Sequence, residues 1–276
     1  MINFCHSLAR IAVWNLAGYN PLNPSVGIGP RSNKTEKQAE GLALLDAELV
    51  TLVEVSPLRH IDRLASVISE KYGIDYKVTI LEQPNGNIHI GFLHKEGVEI
   101  SEVQLVPGTE GNSRRGRQAI QASIRIGKFR AILLGVHLKS GRDNREQAVR
   151  DSQCMAIGDY ITHLRATPGL TRRTILLMGD FNMIPGQDVS NFYYLGGDDL
   201  MDFVSCWDLQ DRFSHILDKG RANLLDGFAV TKTFSTDYVK GSLRLFPMHW
   251  TMGLGREAFK KQVSDHLPFV ASFRIY

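Results

Sequence analysis

Cysteine is scarce in this sequence, whose 276 residues include only Cys5, Cys154 and Cys206. An odd number of widely separated cysteines is not a disulfide framework, and there is no Cys-x-x-Cys pair for a structural zinc site. We therefore expect free and buried thiols. The sequence also lacks a signal-peptide pattern at its amino terminus and any apolar run of about 18 residues, the length of a membrane span. We expect a soluble cytoplasmic protein with no membrane span.

Neither sign of charge is in marked excess. The 32 Lys+Arg residues against 29 Asp+Glu give a formal net charge of +3, which is too small for a protein that coats a polyanion. Hydrophobic residues make up 43% of the chain and charged residues 22%, a composition that supplies a buried core and argues against disorder. The sequence predicts one α/β domain over residues 1–276 and leaves the oligomeric state open.

Hydrophobic periodicity predicts alternating strands and helices. Strands are predicted at 10–15, 49–53, 76–81, 87–94, 99–106, 118–126, 129–137, 174–178 and 268–275. Helices are predicted at 59–71 and 144–165, and another after Thr35-x-x-Gln38, a candidate capping box. The nearly continuous apolar run at 129–137 indicates a central strand, and Asn85-Gly86 indicates a hairpin turn.

Polar side chains stand at or just beyond the ends of these apolar runs: Asn15, Glu54, His137, Asp180, Asn182, Asp226, Asp265 and His266. Each one alone is typical of a turn, but strand ends are also where an α/β sheet presents reactive groups. Carboxylate and amide oxygens are the ligands that Mg²⁺ and Mn²⁺ prefer. Zinc is disfavoured because the sequence offers neither paired thiolates nor clustered histidines. Histidines beside such a site would handle water or donate to phosphoryl oxygens.

Six segments carry these residues in order along the chain: Val13-Trp14-Asn15, Leu52-Val53-Glu54-Val55, Gly135-Val136-His137-Leu138-Lys139-Ser140, Gly179-Asp180-Phe181-Asn182, Leu225-Asp226 and Ser264-Asp265-His266-Leu267-Pro268. In this order they resemble the motif series of the endonuclease/exonuclease/phosphatase superfamily, the group that contains deoxyribonuclease I. The resemblance covers roughly residues 10–276. It implies a two-layered α/β sandwich of two packed mixed β-sheets flanked by helices, with one metal-dependent site between the sheet edges.

The resemblance also implies a metal site. By position, Asn15 and Glu54 match the family's ligands for Mg²⁺ or Mn²⁺, with Asp265 near the same ion. Asp180 and Asn182 match residues that hold the attacking water, the phosphate or a second ion, so Asp180 is expected either as a further ligand or beside the water.

The same resemblance implies the catalytic groups. Asp226 matches a carboxylate that orients the histidine of an Asp-His pair, here His266. His137 matches a second catalytic histidine that contacts phosphate together with Asn182, and Arg117 resembles an arginine near the scissile phosphate. An Asp bonded to an imidazole fixes its tautomer and favours its protonated form, provided that the fold brings the two together.

Three departures from the family pattern bear on substrate. Glu54 is followed by Val55-Ser56-Pro57, without the basic residue that related nucleases carry there. The segment around Asp226 lacks the arginine of the inositol phosphate phosphatases. His137 has no carboxylate partner within residues 87–94, where deoxyribonuclease I has a glutamate.

Two surface features have alternative interpretations. The arginines at 114, 115, 117, 142, 145 and 150 could form a basic rim for a phosphodiester backbone, or could be solvated and ion-paired. The segment 246–250, Phe-Pro-Met-His-Trp, could be an aromatic platform for a base or lipid tail, or packed loop.

The sequence therefore predicts a Mg²⁺- or Mn²⁺-dependent phosphoesterase, in first place a phosphodiesterase that hydrolyses P–O bonds of DNA, RNA or a smaller diester by in-line attack of water. A phosphomonoesterase or lipid phosphodiesterase with the same site is the first alternative. An inactive binding module of the same fold is the second, although every expected polar position is filled.

Overall fold

The computed structural model describes residues 8–18, 34–84, 86, 88–113, 116–196, 200–203, 213–216, 222–233 and 235–276. Its helices are α1 (Lys34–Leu45), α2 (His60–Tyr72), α3 (Asn144–Ala166), α4 (Val189–Tyr194), α5 (Met248–Thr251) and α6 (Arg256–Gln262). Cys5, Cys206, Asn85, Arg114 and Arg115 lie outside the described residues, as do residues 19–33. Cys154 is free and buried, as expected.

Strands β1 (Leu8–Asn15), β2 (Leu49–Val55), β3 (Tyr76–Leu81), β4 (His89–Lys95), β13 (Arg244–Leu245) and β14 (Phe269–Arg274) form one sheet, in the order β13-β14-β1-β2-β4-β3. A second sheet has the order β5-β6-β7-β8-β12-β9, from β5 (Val98–Val106), β6 (Ala119–Ile126), β7 (Phe129–His137), β8 (Thr174–Asp180), β9 (Met201–Phe203) and β12 (Asp226–Thr231). Each sheet is mixed, because β1 pairs with β2 and β7 with β8 in parallel while their other neighbours are antiparallel. A short pair, β10 (His215–Ile216) and β11 (Ala222–Asn223), stands apart from both sheets.

The two sheets pack face to face because their strands alternate. In β8, Leu176 and Met178 belong to the core shared with the first sheet, whereas Ile175 and Leu177 pack with α3 on the outer face. The Thr51 hydroxyl of β2 donates to Met178 Sδ of β8 at 3.3 Å, which places the central strands of the two sheets in contact. Each large side chain buried in this way contributes about 1.5–3 kcal/mol. The structure therefore has the expected two-layered α/β sandwich with flanking helices.

The strands and long helices predicted from periodicity are present, with ends that differ by one or two residues. The 129–137 strand is central in its sheet, and the apolar face of the last strand, including Phe269 and Phe273, is buried. The predicted capping box is wrong. Gln38 lies inside α1 and its amide donates to the carbonyl oxygens of Leu16 and Val263, both at 2.8 Å, so this side chain connects three segments and does not cap the helix.

None of the described helices combines the length and apolar character that crossing a lipid bilayer requires.

Candidate active site at the ends of the central strands

The polar residues at the strand ends converge because the sheet registers bring them together. His137 and Asp180 are opposite each other at the ends of the parallel strands β7 and β8. Asp226 begins β12 directly opposite Asp180 in the antiparallel register. Asn15 ends β1 in the facing sheet, and its side-chain amide donates to Asp180 Oδ2 at 3.0 Å. Four of the predicted residues therefore meet where the two sheets face each other.

Asp226 and His266 form the Asp-His pair that the resemblance implied. His266 Nδ1 donates to Asp226 Oδ2 at 2.7 Å, and both side chains are buried. Burial alone would lower the pKa of His266, but the carboxylates of Asp226, Asp265 and Asp180 outweigh it and raise the pKa well above its usual value. The imidazole is therefore protonated at neutral pH, with Nε2 directed away from Asp226.

His137 faces two carboxyl groups. Its Nε2 lies 3.5 Å from Glu54 Oε1 and 3.7 Å from Asp180 Oδ2. Burial, followed by the positive charges of Arg117 and His266, lowers the pKa of His137 well below its usual value, so the ring is neutral. The carboxylates near His137 come from the ends of β2 and β8 and not from residues 87–94, where the sequence has none.

Asp180 is held through both of its oxygens. Asn15 donates to Oδ2, and the backbone amide of Asn182 donates to Oδ1 at 2.9 Å. Burial and then the negative charges of Asp226 and Glu54 raise the pKa of Asp180 to about 7. A carboxyl group with such a pKa can exchange a proton at neutral pH, which an ordinary surface aspartate cannot do.

The backbone at the site is locally strained. Glu54 and Asn182 have positive φ angles of 58° and 50°, a conformation that L-residues other than glycine adopt infrequently. At Glu54 the pairing of β2 with β4 shifts register, so the side chain leaves the regular alternation of the strand. Gly179, with φ of 155°, has no space for a side chain because a Cβ there would lie 1.9 Å from the Val136 carbonyl oxygen. The Gly-Asp-Phe-Asn sequence therefore suits the turn that carries Asp180 and Asn182.

A second hydrogen-bond network fixes the Ser-Asp-His segment against β1. Ser264 Oγ donates to the Asn15 carbonyl oxygen at 2.7 Å and accepts from the His266 backbone amide at 3.0 Å. The Trp14 indole donates to the His266 carbonyl oxygen at 2.8 Å. These bonds hold together two motifs that are far apart in sequence, since Trp14 and His266 are separated by 252 positions.

Asp265 is near the site, but its described contacts are with histidines. Its Oδ2 lies 3.6 Å from His215 Nε2, and its Oδ1 lies 3.9 Å from His266 Nε2. Burial would raise the pKa of Asp265, yet the hydrogen bond from His215 and the nearby positive charges hold it below its usual value. Whether Asp265 also reaches an ion at Glu54 stays a prediction.

Two residues of the site were missed by sequence reasoning. His215 lies in the two-residue strand β10, too short for periodicity to detect, and it stands outside every quoted motif. Lys34 begins α1, and its ammonium interacts electrostatically with both Asp265 and Glu54; burial lowers its pKa against their opposing effect. Lys34 belongs to none of the quoted motifs, so no sequence signal marked it.

Arg117 lies beside the site, and part of its guanidinium has a structural role. Its Nε and Nη2 donate to the carbonyl oxygens of His137 and Leu138, each at 3.0 Å, so it holds the end of β7. The proposed contact with phosphate stays a prediction.

The prediction that Arg150 belongs to a basic rim on the surface is wrong. This side chain is fully buried in α3, where it donates to the carbonyl oxygens of Lys139 and Gly141 and pairs with Asp188 at 3.4 Å. Arg142 pairs with the same Asp188 at 2.7 Å. The two arginines share this one carboxylate, and both also donate to backbone carbonyl oxygens of the loops after His137 and Asn182, so they stabilise these loops.

The 246–250 segment was interpreted from the sequence either as an aromatic platform or as a packed loop, and the structure shows features of both. Met248 and His249 are buried in α5, as loop packing predicts, while Trp250 is 68% exposed. A single exposed indole is not the multi-residue platform considered from the sequence.

The donor set fits a divalent cation. Oxygen and nitrogen atoms of Glu54, His137 and Asp180 lie within 4.8 Å of one another, and so do those of Asp180, Asp226 and His266. Among the residues that the structure describes, Asp226 Oδ1 is buried without a hydrogen-bond partner. An unpaired carboxylate oxygen and several buried acidic groups are costly unless a cation or a polar ligand compensates them.

The architecture of the chain matches that of solved structures with distant sequences. D. rerio TDP2 complexed with a single-strand DNA product aligns with a TM-score of 0.68 at 15% identity, over 97% of this chain and 99% of that one. An endonuclease/exonuclease/phosphatase from Bacteroides vulgatus aligns with a TM-score of 0.68 at 13% identity, over 98% and 100%. The chain has the deoxyribonuclease I-like fold of these structures.

A further structure of this fold is ANGEL2, a 2′,3′-cyclic phosphatase in complex with adenosine-2′,3′-vanadate. It aligns with a TM-score of 0.64 at 13% identity, over 96% of this chain and 95% of that one. A scan against protein-family models and a search of curated proteins gave no match. The fold thus matches the expectation from the motifs, and the chemistry has to be argued from the site itself.

Proposed function

We propose that this protein is a divalent-metal-dependent phosphodiesterase that hydrolyses a P–O bond by in-line attack of water. The observation that carries the proposal is the pairing of a protonated donor, the Asp226–His266 couple, with a buried carboxyl, Asp180, that has a pKa of about 7. Hydrolysis of a phosphoester requires one group to take a proton from water and another to donate to a phosphoryl or leaving oxygen. The site holds both within one cluster.

Asp180 is proposed to accept the proton of the attacking water. Its carboxyl oxygens are fixed by Asn15 and by the Asn182 backbone, so the group is oriented before substrate arrives. The raised pKa of Asp180 supports a role in proton transfer near neutral pH, in addition to any role as a metal ligand. Asn182, whose amide donates to the Leu138 carbonyl oxygen at 3.2 Å, is proposed to position the phosphate or the water.

His266 and His137 are both proposed to donate hydrogen bonds to phosphoryl oxygens, His266 as a protonated ring and His137 as a neutral ring. His266 carries a proton that its Nε2 can donate, and Asp226 keeps the ring charged and oriented. His137 stays neutral, and it would donate one hydrogen bond to a phosphoryl oxygen without transferring a charge. Arg117, anchored at the end of β7, is proposed to add positive charge beside the same phosphate.

Mg²⁺ or Mn²⁺ is the cation that these donors fit best. Asn15 and Glu54 would hold it, with Asp180 and Asp265 nearby, since all four offer oxygen atoms. When bound, such an ion supplies Lewis-acid stabilisation of the negative charge that develops on the phosphoryl oxygens.

A diester substrate is favoured over a monoester. The chain lacks the arginine of the inositol phosphate phosphatases near Asp226, and two structures of the same fold were solved with a DNA product and a nucleoside-2′,3′-vanadate. With a net charge of +3, and with Arg142 and Arg150 engaged with Asp188, we expect contact with few backbone phosphates. The substrate class proposed is therefore a short nucleic acid segment or a smaller diester.

The test is a substrate panel with Mg²⁺ and Mn²⁺: single-stranded and plasmid DNA, RNA, bis-p-nitrophenyl phosphate and p-nitrophenyl phosphate. We expect a higher kcat/KM for the diester than for the monoester, and a loss of about a hundredfold or more in His137→Ala and His266→Ala. His163→Ala, on the exposed face of α3, is the control and should behave as wild type. A monoester preference would favour the phosphatase alternative, and an inactive wild type on every substrate would favour the binding module.

The salt dependence of DNA affinity tests how many backbone phosphates the protein contacts. Affinity for DNA falls by nearly one logarithmic unit per decade of salt for each phosphate neutralised. We expect a shallow slope, corresponding to few contacts. A steep slope would contradict this expectation and would favour a basic surface that contacts many phosphates.

A further inference from the structure

His215, Asp265 and His266 form a compact group beside the proposed water-handling residues. The backbone fixes the group, because β10 runs antiparallel to the Ser-Asp-His segment and His215 forms a bridge with His266. The Ile216 amide donates to the Asp265 carbonyl oxygen, and the Leu267 amide donates to the Ser214 carbonyl oxygen, both at 2.7 Å. Two histidines that are distant in sequence are thereby brought together, which the sequence analysis did not foresee.

The side chains of this group converge on a small volume. His215 Nε2 is 3.6 Å from Asp265 Oδ2, and His266 Nε2 is 3.9 Å from Asp265 Oδ1. One ligand atom from each residue lies within 4.8 Å of the others, and the ring centroids are 4.7 Å apart. Two ligands bound to one Zn²⁺ at about 2.1 Å in tetrahedral geometry are roughly 3.4 Å apart. Small side-chain rotations would therefore complete the site.

The outer contact of His266 also suits a metal-ligating histidine. His266 Nδ1 donates to Asp226 Oδ2, which leaves Nε2 as the coordinating atom and matches the carboxylate–histidine–metal arrangement of many zinc sites. His215 lacks such an outer contact among the described residues, since its buried Nδ1 has no hydrogen-bond partner, and its Nε2 is the nitrogen beside Asp265. Two imidazoles and one carboxylate favour Zn²⁺, whereas Mg²⁺ prefers an all-oxygen set.

We propose that His215, Asp265 and His266 form a second cation site, selective for Zn²⁺ over Mg²⁺, whose occupation inhibits the enzyme. His266 Nδ1 is bonded to Asp226, so a metal would occupy Nε2, the atom proposed to face a phosphoryl oxygen; a proton on that nitrogen leaves to solvent, and His266 can no longer donate to the substrate. The inhibition rests on the proposed function, whereas the metal site stands on the geometry alone.

Zn²⁺ binding is measured by calorimetry on the full chain in excess Mg²⁺, for wild type, His215→Gln and the control His163→Gln. Glutamine keeps the polar character of the position but is a poor zinc ligand. We expect one Zn²⁺ site in wild type and in His163→Gln, weakened at least about tenfold in His215→Gln, in line with the loss of one ligand. Equal Zn²⁺ affinity in His215→Gln and wild type would overturn the proposal.

A spectroscopic readout on wild type keeps the test independent of folding of the variant. The zinc X-ray absorption spectrum of the wild-type complex should show two imidazole ligands. A shell composed only of oxygen ligands would overturn the proposal.

The inhibitory consequence is tested separately. Zn²⁺ should inhibit diester hydrolysis in Mg²⁺, and His215→Gln should need more Zn²⁺ by the same factor as its loss of binding, each protein being compared with its own zinc-free rate. Hydrolysis that continues in the zinc-loaded wild type would overturn the inhibitory role. Zinc binding by a protein that hydrolyses no substrate would instead contradict the proposed function and leave the metal site standing.

Discussion

His137 and Asp180 stand opposite each other at the ends of β7 and β8, with Nε2 and Oδ2 3.7 Å apart. Burial acts on the two groups in opposite directions: it lowers the pKa of the imidazole and raises that of the carboxyl, so both favour their neutral forms. The register of two parallel strands thus places a neutral imidazole beside a carboxyl group that can exchange a proton near pH 7.

The raised pKa of Asp180 predicts a pH-dependent cost to stability. Because its folded pKa, about 7, exceeds the usual 3.8, the folded state binds more protons than the unfolded state between these values. The contribution of Asp180 to stability is therefore present at low pH and is lost as pH rises through about 7, by at most about 1.4 kcal/mol per pH unit. Urea unfolding in chelator, from pH 4.5 to 8, should show this decline in wild type relative to Asp180→Asn. Parallel stability curves for the two proteins would contradict the shift.

Glu54→Gln should weaken Mg²⁺ binding far more than it alters folding. The substitution keeps the shape of the side chain and removes the charge of a carboxylate in the proposed metal-binding cluster. Titration calorimetry measures the affinity, and thermal unfolding measures the fold. Glu96→Gln, an exposed residue outside the site, is the matched control. Unchanged Mg²⁺ affinity in Glu54→Gln would remove Glu54 from the metal site.

Asp226→Asn should lower the pKa of His266, because the carboxylate is the leading group that raises it. The limb of the kcat/KM profile that reports loss of the His266 proton should then move to lower pH, with kcat reduced by about a hundredfold. An NMR titration of the His266 ring provides a readout that does not require activity. A His266 pKa equal in both proteins would show that Asp226 only holds the ring in place.

Arg150→Ala should destabilise the protein without touching the chemistry directly. The buried guanidinium joins the carbonyl oxygens of Lys139 and Gly141 to Asp188, so its removal leaves several buried polar groups unpaired. We expect a loss of roughly 3–5 kcal/mol in the free energy of unfolding, measured in urea. The exposed Arg145→Ala is the control, expected within about 0.5 kcal/mol of wild type. An Arg150→Ala variant as stable as wild type would show that these hydrogen bonds and the ion pair contribute little to stability.

The sequence predicted the strands and the polar residues at their ends because both follow from local patterns. Periodicity locates β7 and β8, and the motifs place His137 and Asp180 at their ends. Contacts between distant segments depend on strand pairing and register, which local sequence patterns do not specify. The contact of His215 with Asp265 arises from a two-residue strand, and Lys34 reaches the site from a helix whose amino-terminal signal was misread as a capping box. Arg150 resembled a surface residue because burial of an arginine depends on partners far along the chain.

The most direct test of the account is the rate of bis-p-nitrophenyl phosphate hydrolysis by the wild-type protein, in Mg²⁺ or Mn²⁺ and in excess chelator. We predict turnover with either ion, no turnover in chelator, and recovery when the ion is restored. Without a cation, a site lined with carboxylates has too little positive charge to stabilise the negative charge on the phosphoryl oxygens. Full turnover in excess chelator, or activity restored only by Zn²⁺, would contradict a magnesium- or manganese-dependent phosphodiesterase.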